Sequence, residues 1–313
     1  MTFDGKVAIV TGAGGQPPSL GRSHAEFLAA RGAKIVVNDL GVGPDGRSIL
    51  RSNAEQVVDD IRAAGGQAVA DTHSVADESS AREIVQTALD TWGRLDILIN
   101  NAGVAHIAHF DEISSADIRN VIDVHLMGTL WMCRAAWSVM RNGEYGRIVN
   151  TTSGGMFGQE NLSIYGAAKG GIFGLTRSLA IEGAAHGIKV NALGPAANTT
   201  AMHHLNEACD FNTMMQEHFP VELVSPAAAY LAHEECEVSG AYLEVGAGNV
   251  ATRVFGVNAG FHDAALTTEA VRDNLAAIVD KSTTTVIPDF WEASPGTGEA
   301  ALLGIVPKPY EAV

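Results

Sequence analysis

Short apolar runs alternate with amphipathic stretches through most of the chain. KVAIV (6–10), AKIVVN (33–38), QAVAD (67–71) and LDILIN (95–100) are brief and rich in Val and Ile, while 20–31, 53–64 and 79–92 repeat their apolar residues at helical spacing. A strand buried on both faces reads as a continuous apolar run. Strands separated by helices join in parallel through right-handed crossovers. The pattern continues with a helix at about 114–141, a strand GRIVNTTS (146–153), a helix at about 163–185, and strands IKVNALGP (188–195) and AYLEVGAG (241–248). It predicts an α/β fold: a Rossmann-type, doubly wound, three-layer parallel sheet of about seven strands in one domain over 1–250.

Three segments depart from this rhythm. Residues 41–52 form a polar loop after the second strand. Residues 196–225 interleave Met202, Phe211, Met214, Met215 and Phe219 with polar residues, which suits a lid over a ligand site or an ordinary helical excursion. Residues 251–313 form a C-terminal extension with a helical stretch at 269–281 and a Pro/Gly-rich end, expected to pack on the domain or on a partner subunit.

Composition narrows the function. Across 313 residues, 20 Lys+Arg against 36 Asp+Glu leave a net charge of −16, with no basic stripe for nucleic acid. No apolar run is long enough for a membrane span, and the chain opens straight into a strand without a signal-peptide pattern. Cys133, Cys209 and Cys236 lack zinc or CxxC spacing, so no metal site is expected and reduced thiols in a cytoplasmic protein are.

A glycine-rich turn links the first strand to the first helix: Gly12, Gly14 and Gly15, then Gln16-Pro17-Pro18-Ser19, then Leu20-Gly21. Such a turn lets backbone approach a pyrophosphate and aims helix N–H groups at it. Asp39 ends the second strand, where a carboxylate accepts hydrogen bonds from a ribose 2′-hydroxyl and repels a 2′-phosphate. NAD is therefore expected over NADP. Tyr165 and Lys169 stand four apart on a helix, so phenol and ammonium share a face, and the cation favours phenolate. Ser153 closes the strand 146–153, with Thr151 and Thr152 as competing hydroxyls; Asn101-Ala102-Gly103 closes the strand before it.

In this order and spacing, TGAGG…LGR, NNAG (100–103), a Ser before YGAAK, and VNALGP resemble the short-chain dehydrogenase/reductase family over about 1–250. VVNDLG (36–41), RAAW (134–137), SLAIEG (178–183) and EVGAG (244–248) resemble more narrowly the (3R)-hydroxyacyl-CoA dehydrogenase unit of peroxisomal multifunctional enzymes and its bacterial stand-alone hydroxysteroid dehydrogenase relatives. The resemblance implies an NAD(P)-dependent oxidoreductase with Tyr165 as acid/base. Lys169 would bind the nicotinamide ribose and lower the Tyr165 pKa, and Ser153 would orient the substrate oxygen. It implies a cofactor set of Gly12, Gly14, Gly15, Leu20, Gly21, Asp39, Ser74, Asn101, Ala102, Gly103, Tyr165, Lys169, Pro195 and Thr199, with Thr200 an alternative to Thr199. A homodimer or homotetramer packing the helices at about 114–141 and 163–185 is also implied.

The chain departs from the family pattern at four places. Gln16 stands where the middle glycine of the turn belongs, followed by Pro17, Pro18 and Ser19 as extra residues; two prolines remove two N–H donors. His125 replaces a common Asn and suits a structural or proton-relay role. The interval from Ser153 to Tyr165 is one residue short, which points to Thr152; counting along the strand from Gly146 points to Ser153, and strand alternation favours the latter. The third strand lacks the family's adenine-contacting Asp, which leaves Ser74. The expected substrate is a bulky apolar alcohol or ketone, a 3-hydroxyacyl-CoA or a hydroxysteroid, with Met156, Phe157 and the Met/Phe stretch lining its pocket. The alternatives are a non-catalytic nucleotide-sensing or scaffold protein on the same fold and an NADPH ketoreductase.

Overall fold

A computed structural model describes residues 1–41, 53–104, 106–200 and 210–286. The elements follow the apolar rhythm: β1 (Val7–Thr11), α1 (Leu20–Ala29), β2 (Lys34–Asn38), α2 (Ala54–Ala63), β3 (Gln67–Asp71), α3 (Glu78–Trp92) and β4 (Ile97–Asn100). Next come α4 (Ser115–Val121), α5 (Gly128–Asn142), β5 (Gly146–Thr151), α6 (Ser163–Gly183), β6 (Ile188–Pro195), β7 (Tyr242–Gly246) and β8 (Asn249–Thr252). The sheet runs β3-β2-β1-β4-β5-β6-β7-β8. The first seven strands in that row pair in parallel, and β8 adds an antiparallel edge. The strand order reverses between β1 and β4, the crevice where open α/β sheets bind their ligands.

Strand alternation divides the core. Ala8, Val10, Ile35, Val37, Ile97 and Ile99 point to the face covered by α1, α2 and the helix Ser225–Ala232. Val7, Ile9, Val36, Leu98, Ile148 and Val190 point to the face covered by α3, α5 and α6. Both faces are dry, which is why these strands read as unbroken apolar runs. Helix starts are set by side-chain caps: Ser19 Oγ accepts from Arg22 N, Asp77 from Ser80 N, and Ser114 from Asp117 N. At the amino end of β5 the buried Arg147 guanidinium donates to the carbonyls of Gly146, Gly187, His233 and Glu234 and so fastens the turn after Ser225–Ala232 to the sheet.

Two expectations are corrected. The helix at 114–141 is three pieces, because Ile122–Met127 between α4 and α5 is a π-helical turn. The final strand closes at Gly246 and turns back as β8, a short exposed edge that the parallel pattern does not announce. Within 196–225 there is a helix Asp210–His218, with Met215 buried and Met214 exposed. Met202 and most of the polar loop 41–52 lie outside the described residues.

Contacts divide the chain into two compact units, Met1–Thr252 and Arg253 onward. The second holds short helices Thr268–Asp273 and Leu275–Ile278 and a two-stranded ladder pairing Gly256–Val257 with Thr285–Val286.

Candidate active site

The glycine-rich turn is built for close approach. Gly12 has φ +64°, and a Cβ there would lie 2.8 Å from Ala102 Cα. At Gly21, in the first turn of α1, a Cβ would meet Gly12 O at 2.2 Å. Asn101 Nδ2 donates to Thr11 O and Gly12 O at 3.0 and 3.2 Å, tying the end of β4 to the turn. Thr11 Oγ1 accepts from the N–H groups of both Asn101 and Ala102, each at 3.0 Å. Sequence reasoning passed over Thr11; its place directly before Gly12 is the signal.

Asp39 lies at the carboxyl end of β2 and accepts from Gly14 N (2.9 Å) and Gly41 N (2.8 Å). Burial pushes its carboxyl above the ordinary value, and those two N–H groups pull it back. A Cβ on Gly14 would sit 2.7 Å from Asp39 Cβ, so only glycine lets this carboxylate lie against the turn. Gly15 is equally confined, 2.7 Å from Ser19 Oγ. These positions form a cradle in which side chains would collide, placed before a helix N-terminus with a carboxylate alongside. The residues fit a dinucleotide.

The extra residues of the turn have a partner. Ser19, rather than Gln16, stands directly before Leu20-Gly21 and caps α1, so Gln16-Pro17-Pro18 is the excursion. Thr200 N donates to Pro18 O at 3.0 Å, and Thr200 Oγ1 donates to Gln16 O at 3.1 Å. The turn is thus clasped to the segment that follows Pro195, the last residue of β6. Thr200 is occupied by that clasp; Thr199 stands beside it. Ser74 lies beyond β3, where its Oγ accepts from Ala76 N.

At the carboxyl end of β5, Ser153 accepts from Gly155 N at 3.1 Å and lies near enough to Tyr165 to pull its phenol pKa down. Thr152 turns away and donates to Leu193 O, and Thr151 Oγ1 is buried with no partner among the described residues. Lys169, one turn beyond Tyr165 on α6, is buried; its Nζ donates to Thr151 O at 2.7 Å and lies 5.5 Å from the centre of the Tyr165 ring. Burial lowers the Lys169 pKa to about 7. Burial also raises the Tyr165 phenol, and Ser153 lowers it. The group of Ser153, Tyr165 and Lys169 therefore comes together, with hydroxyl, phenol and amine at one sheet edge.

His125 lies on the π-helical turn, edge-on to the Tyr165 ring at 5.3 Å. Its Nε2 is 2.8 Å from Val104 O, and its Nδ1 is buried without a partner among the described residues. Nε2 also lies 3.1 Å from Val104 N, so it meets a backbone donor and a backbone acceptor of the same residue. Burial, with the nearby Lys169 charge, lowers its pKa to about 3, so the ring is neutral. Gly103 makes room for it.

A family model described as short chain dehydrogenase matches residues 6–209. The chain belongs to the short-chain dehydrogenase family. Members of that family are oxidoreductases that act on CH–OH groups. The chain is 40% identical over 307 residues to the peroxisomal multifunctional enzyme type 2 of Mus musculus, covering 96% of this chain and 40% of the mouse protein. It therefore spans well under half of that relative's length. A crystal structure of a short chain dehydrogenase from Mycobacterium avium has 37% identity and a TM-score of 0.76, covering 90% of this chain and 98% of that one. A 7α-hydroxysteroid dehydrogenase complexed with NADH and 7-oxo glycochenodeoxycholic acid has 28% identity and a TM-score of 0.70, covering 80% and 96%.

Proposed function

We propose that this short-chain dehydrogenase interconverts a secondary alcohol and a ketone using NAD, with Tyr165 as the acid/base. The observation that carries the reading is the meeting of Ser153, Tyr165 and Lys169 at the carboxyl ends of β5 and α6's first turns, on the same sheet edge as the glycine cradle. A bound nicotinamide dinucleotide supplies the hydride acceptor or donor. In oxidation, the Tyr165 phenolate takes the hydroxyl proton of the substrate at Oη. Ser153 donates to the substrate oxygen and keeps it within reach of that phenolate. Lys169, when protonated, stabilises the phenolate that burial otherwise disfavours. In reduction the same phenol returns the proton. Asp39 supports NAD over NADP, since a 2′-phosphate would meet a partly buried carboxylate.

The substrate in this reading is an apolar secondary alcohol, a 3-hydroxyacyl-CoA or a hydroxysteroid. A homodimer or homotetramer belongs to the same reading. A groove of about 300 Å³ between α5 and α6, lined by Leu130, Trp137, Leu175 and Leu179, supports a subunit contact there; none of the three polar site residues lines it. A cytoplasmic setting is supported by the buried free thiols of Cys133 and Cys236.

The test is NADH production against a panel of hydroxysteroids and 3-hydroxyacyl-CoA thioesters. Tyr165→Phe should lower the rate by about 10²–10⁴-fold while NADH still binds. Equal inertness of both proteins with NADH bound would favour a nucleotide-sensing role instead. Faster turnover with NADPH than with NADH would overturn the cofactor assignment.

A further inference from the structure

The helix that carries His125 departs from α geometry at the turn that faces the acid/base. Ile122–Met127 is π-helical between two regular helices, and no proline or glycine inside it forces the change. Single π turns are rare inside α-helices and frequent at functional sites. Here the turn presents His125, which is buried. Thr129 Oγ1 donates to the His125 carbonyl at 2.7 Å and holds the turn from the next one. The turn lies directly on α6: a Cβ on Gly171 would be 3.0 Å from Leu126 Cδ1.

The His125 ring meets both flanks of the site. Its Nε2 faces the backbone of Val104, 3.1 Å from the N–H nitrogen and 2.8 Å from the carbonyl oxygen. Its Cε1 lies against Gly103, where only glycine fits. Tyr165 stands beside it, with ring centres 5.3 Å apart and planes at 88°, the edge arrangement that aromatic pairs favour. Val104 in turn packs with Val121 and Ala168, and Ile164 lies against that cluster, so the segment after β4 and the first turns of α6 are one packed unit. The start of that segment reaches the cofactor turn through the Asn101 Nδ2 bond to Gly12 O. One side chain therefore stands between the anchor of the glycine turn and the phenol. The ring is neutral, so it gives Tyr165 a place and adds no charge to it.

Building on the dehydrogenase reading, we infer that His125 is a positioning residue whose ring sets Tyr165 against the segment after β4, and through that segment against the cofactor turn. It moves no proton. Misplacing a reacting group by about 1 Å costs up to about a hundredfold in rate. Two full-length variants separate the ring from its polar edge. His125→Gln keeps a polar end for Val104 and drops the ring. His125→Phe keeps a ring beside Tyr165 and can neither take nor give a proton. With NAD and the alcohols that wild type turns over, His125→Gln should lower kcat by about tenfold or more while the KM for NAD stays within about twofold. His125→Phe should recover most of that loss. Wild-type kcat in His125→Gln, or a folded His125→Phe as slow as His125→Gln, overturns the inference and leaves the dehydrogenase reading intact. Phe is the larger ring and can overpack against Val104, so a second measurement stands apart from activity. In protein with ring-labelled tyrosine, the NMR signal of Tyr165 is the one lost in Tyr165→Phe. Its ring should flip slowly in wild type and faster in His125→Gln; equal flip rates overturn the inference. An inert wild type that binds NADH overturns the dehydrogenase reading, and the flip rate still decides whether His125 holds Tyr165.

Discussion

Gly103 and His125 constrain each other. A Cβ at Gly103 would lie 2.4 Å from His125 Cε1, closer than any relaxed packing permits. Gly103→Ala should destabilise the protein by about 1–3 kcal/mol in urea denaturation. Adding His125→Asn should return part of that loss, because the smaller side chain vacates the space; independent, additive losses would refute the pairing. Lys169 makes a second residue-scale case. Removing its charge as Lys169→Met leaves burial opposed by Ser153 alone at Tyr165. The pH for half-maximal oxidation should then rise by about one unit or more in a pH–rate profile. No movement of the profile would mean that Lys169 only positions.

Among the elements, the seven parallel strands were legible because most are buried on both faces and their apolar runs alternate with amphipathic helices. β8 was not, since a short exposed edge strand carries no apolar signal, and the π-helical turn was not, since one residue's change of phase hardly disturbs helical spacing. The site followed the same logic. Tyr165, Lys169 and Asp39 sit at positions fixed by helix or strand geometry, and counting along β5 selected Ser153. The clasp between Gln16–Pro18 and Thr200 was illegible because it joins residues 184 apart through backbone carbonyls, which any side chain could offer. The clasp links the cofactor turn to the segment after β6. Thr200→Val removes the hydroxyl donor but keeps the backbone bond to Pro18. NADH binding, followed by fluorescence titration, should weaken by about fivefold, the worth of one hydrogen bond of about 1 kcal/mol, and Thr200→Ser should restore it. Unchanged binding in Thr200→Val would reduce the clasp to packing.

For the molecule as a whole, acid stability depends on two histidines that folding keeps neutral. His24 is buried between α1 and the helix Ser225–Ala232, with Nδ1 2.8 Å from Ser225 Oγ, Nε2 without a partner among the described residues, and a pKa lowered to about 4. His125 is lowered to about 3. Both titrate near 6.5 when unfolded. Above that value neither state binds these protons, and their contribution to stability is fully present. As pH falls below 6.5 the unfolded chain takes up two protons that the folded chain refuses, so stability declines until the folded pKa values are reached. Each histidine accounts for a loss on the order of 3 kcal/mol across its window. Asp39 works the other way: its raised folded pKa makes ionisation a cost that appears as pH rises through the carboxylate range. The two histidines outweigh it between about pH 4 and 6.5, because Asp39 can take up at most one proton in the folded state against the two that the histidines refuse. Urea denaturation at a series of pH values should therefore show stability falling from pH 6.5 to 4, with a limiting slope near two protons. His24→Asn should remove about half of that slope whatever it does to stability at neutral pH. An unaltered slope in His24→Asn would mean that other groups drive the acid transition.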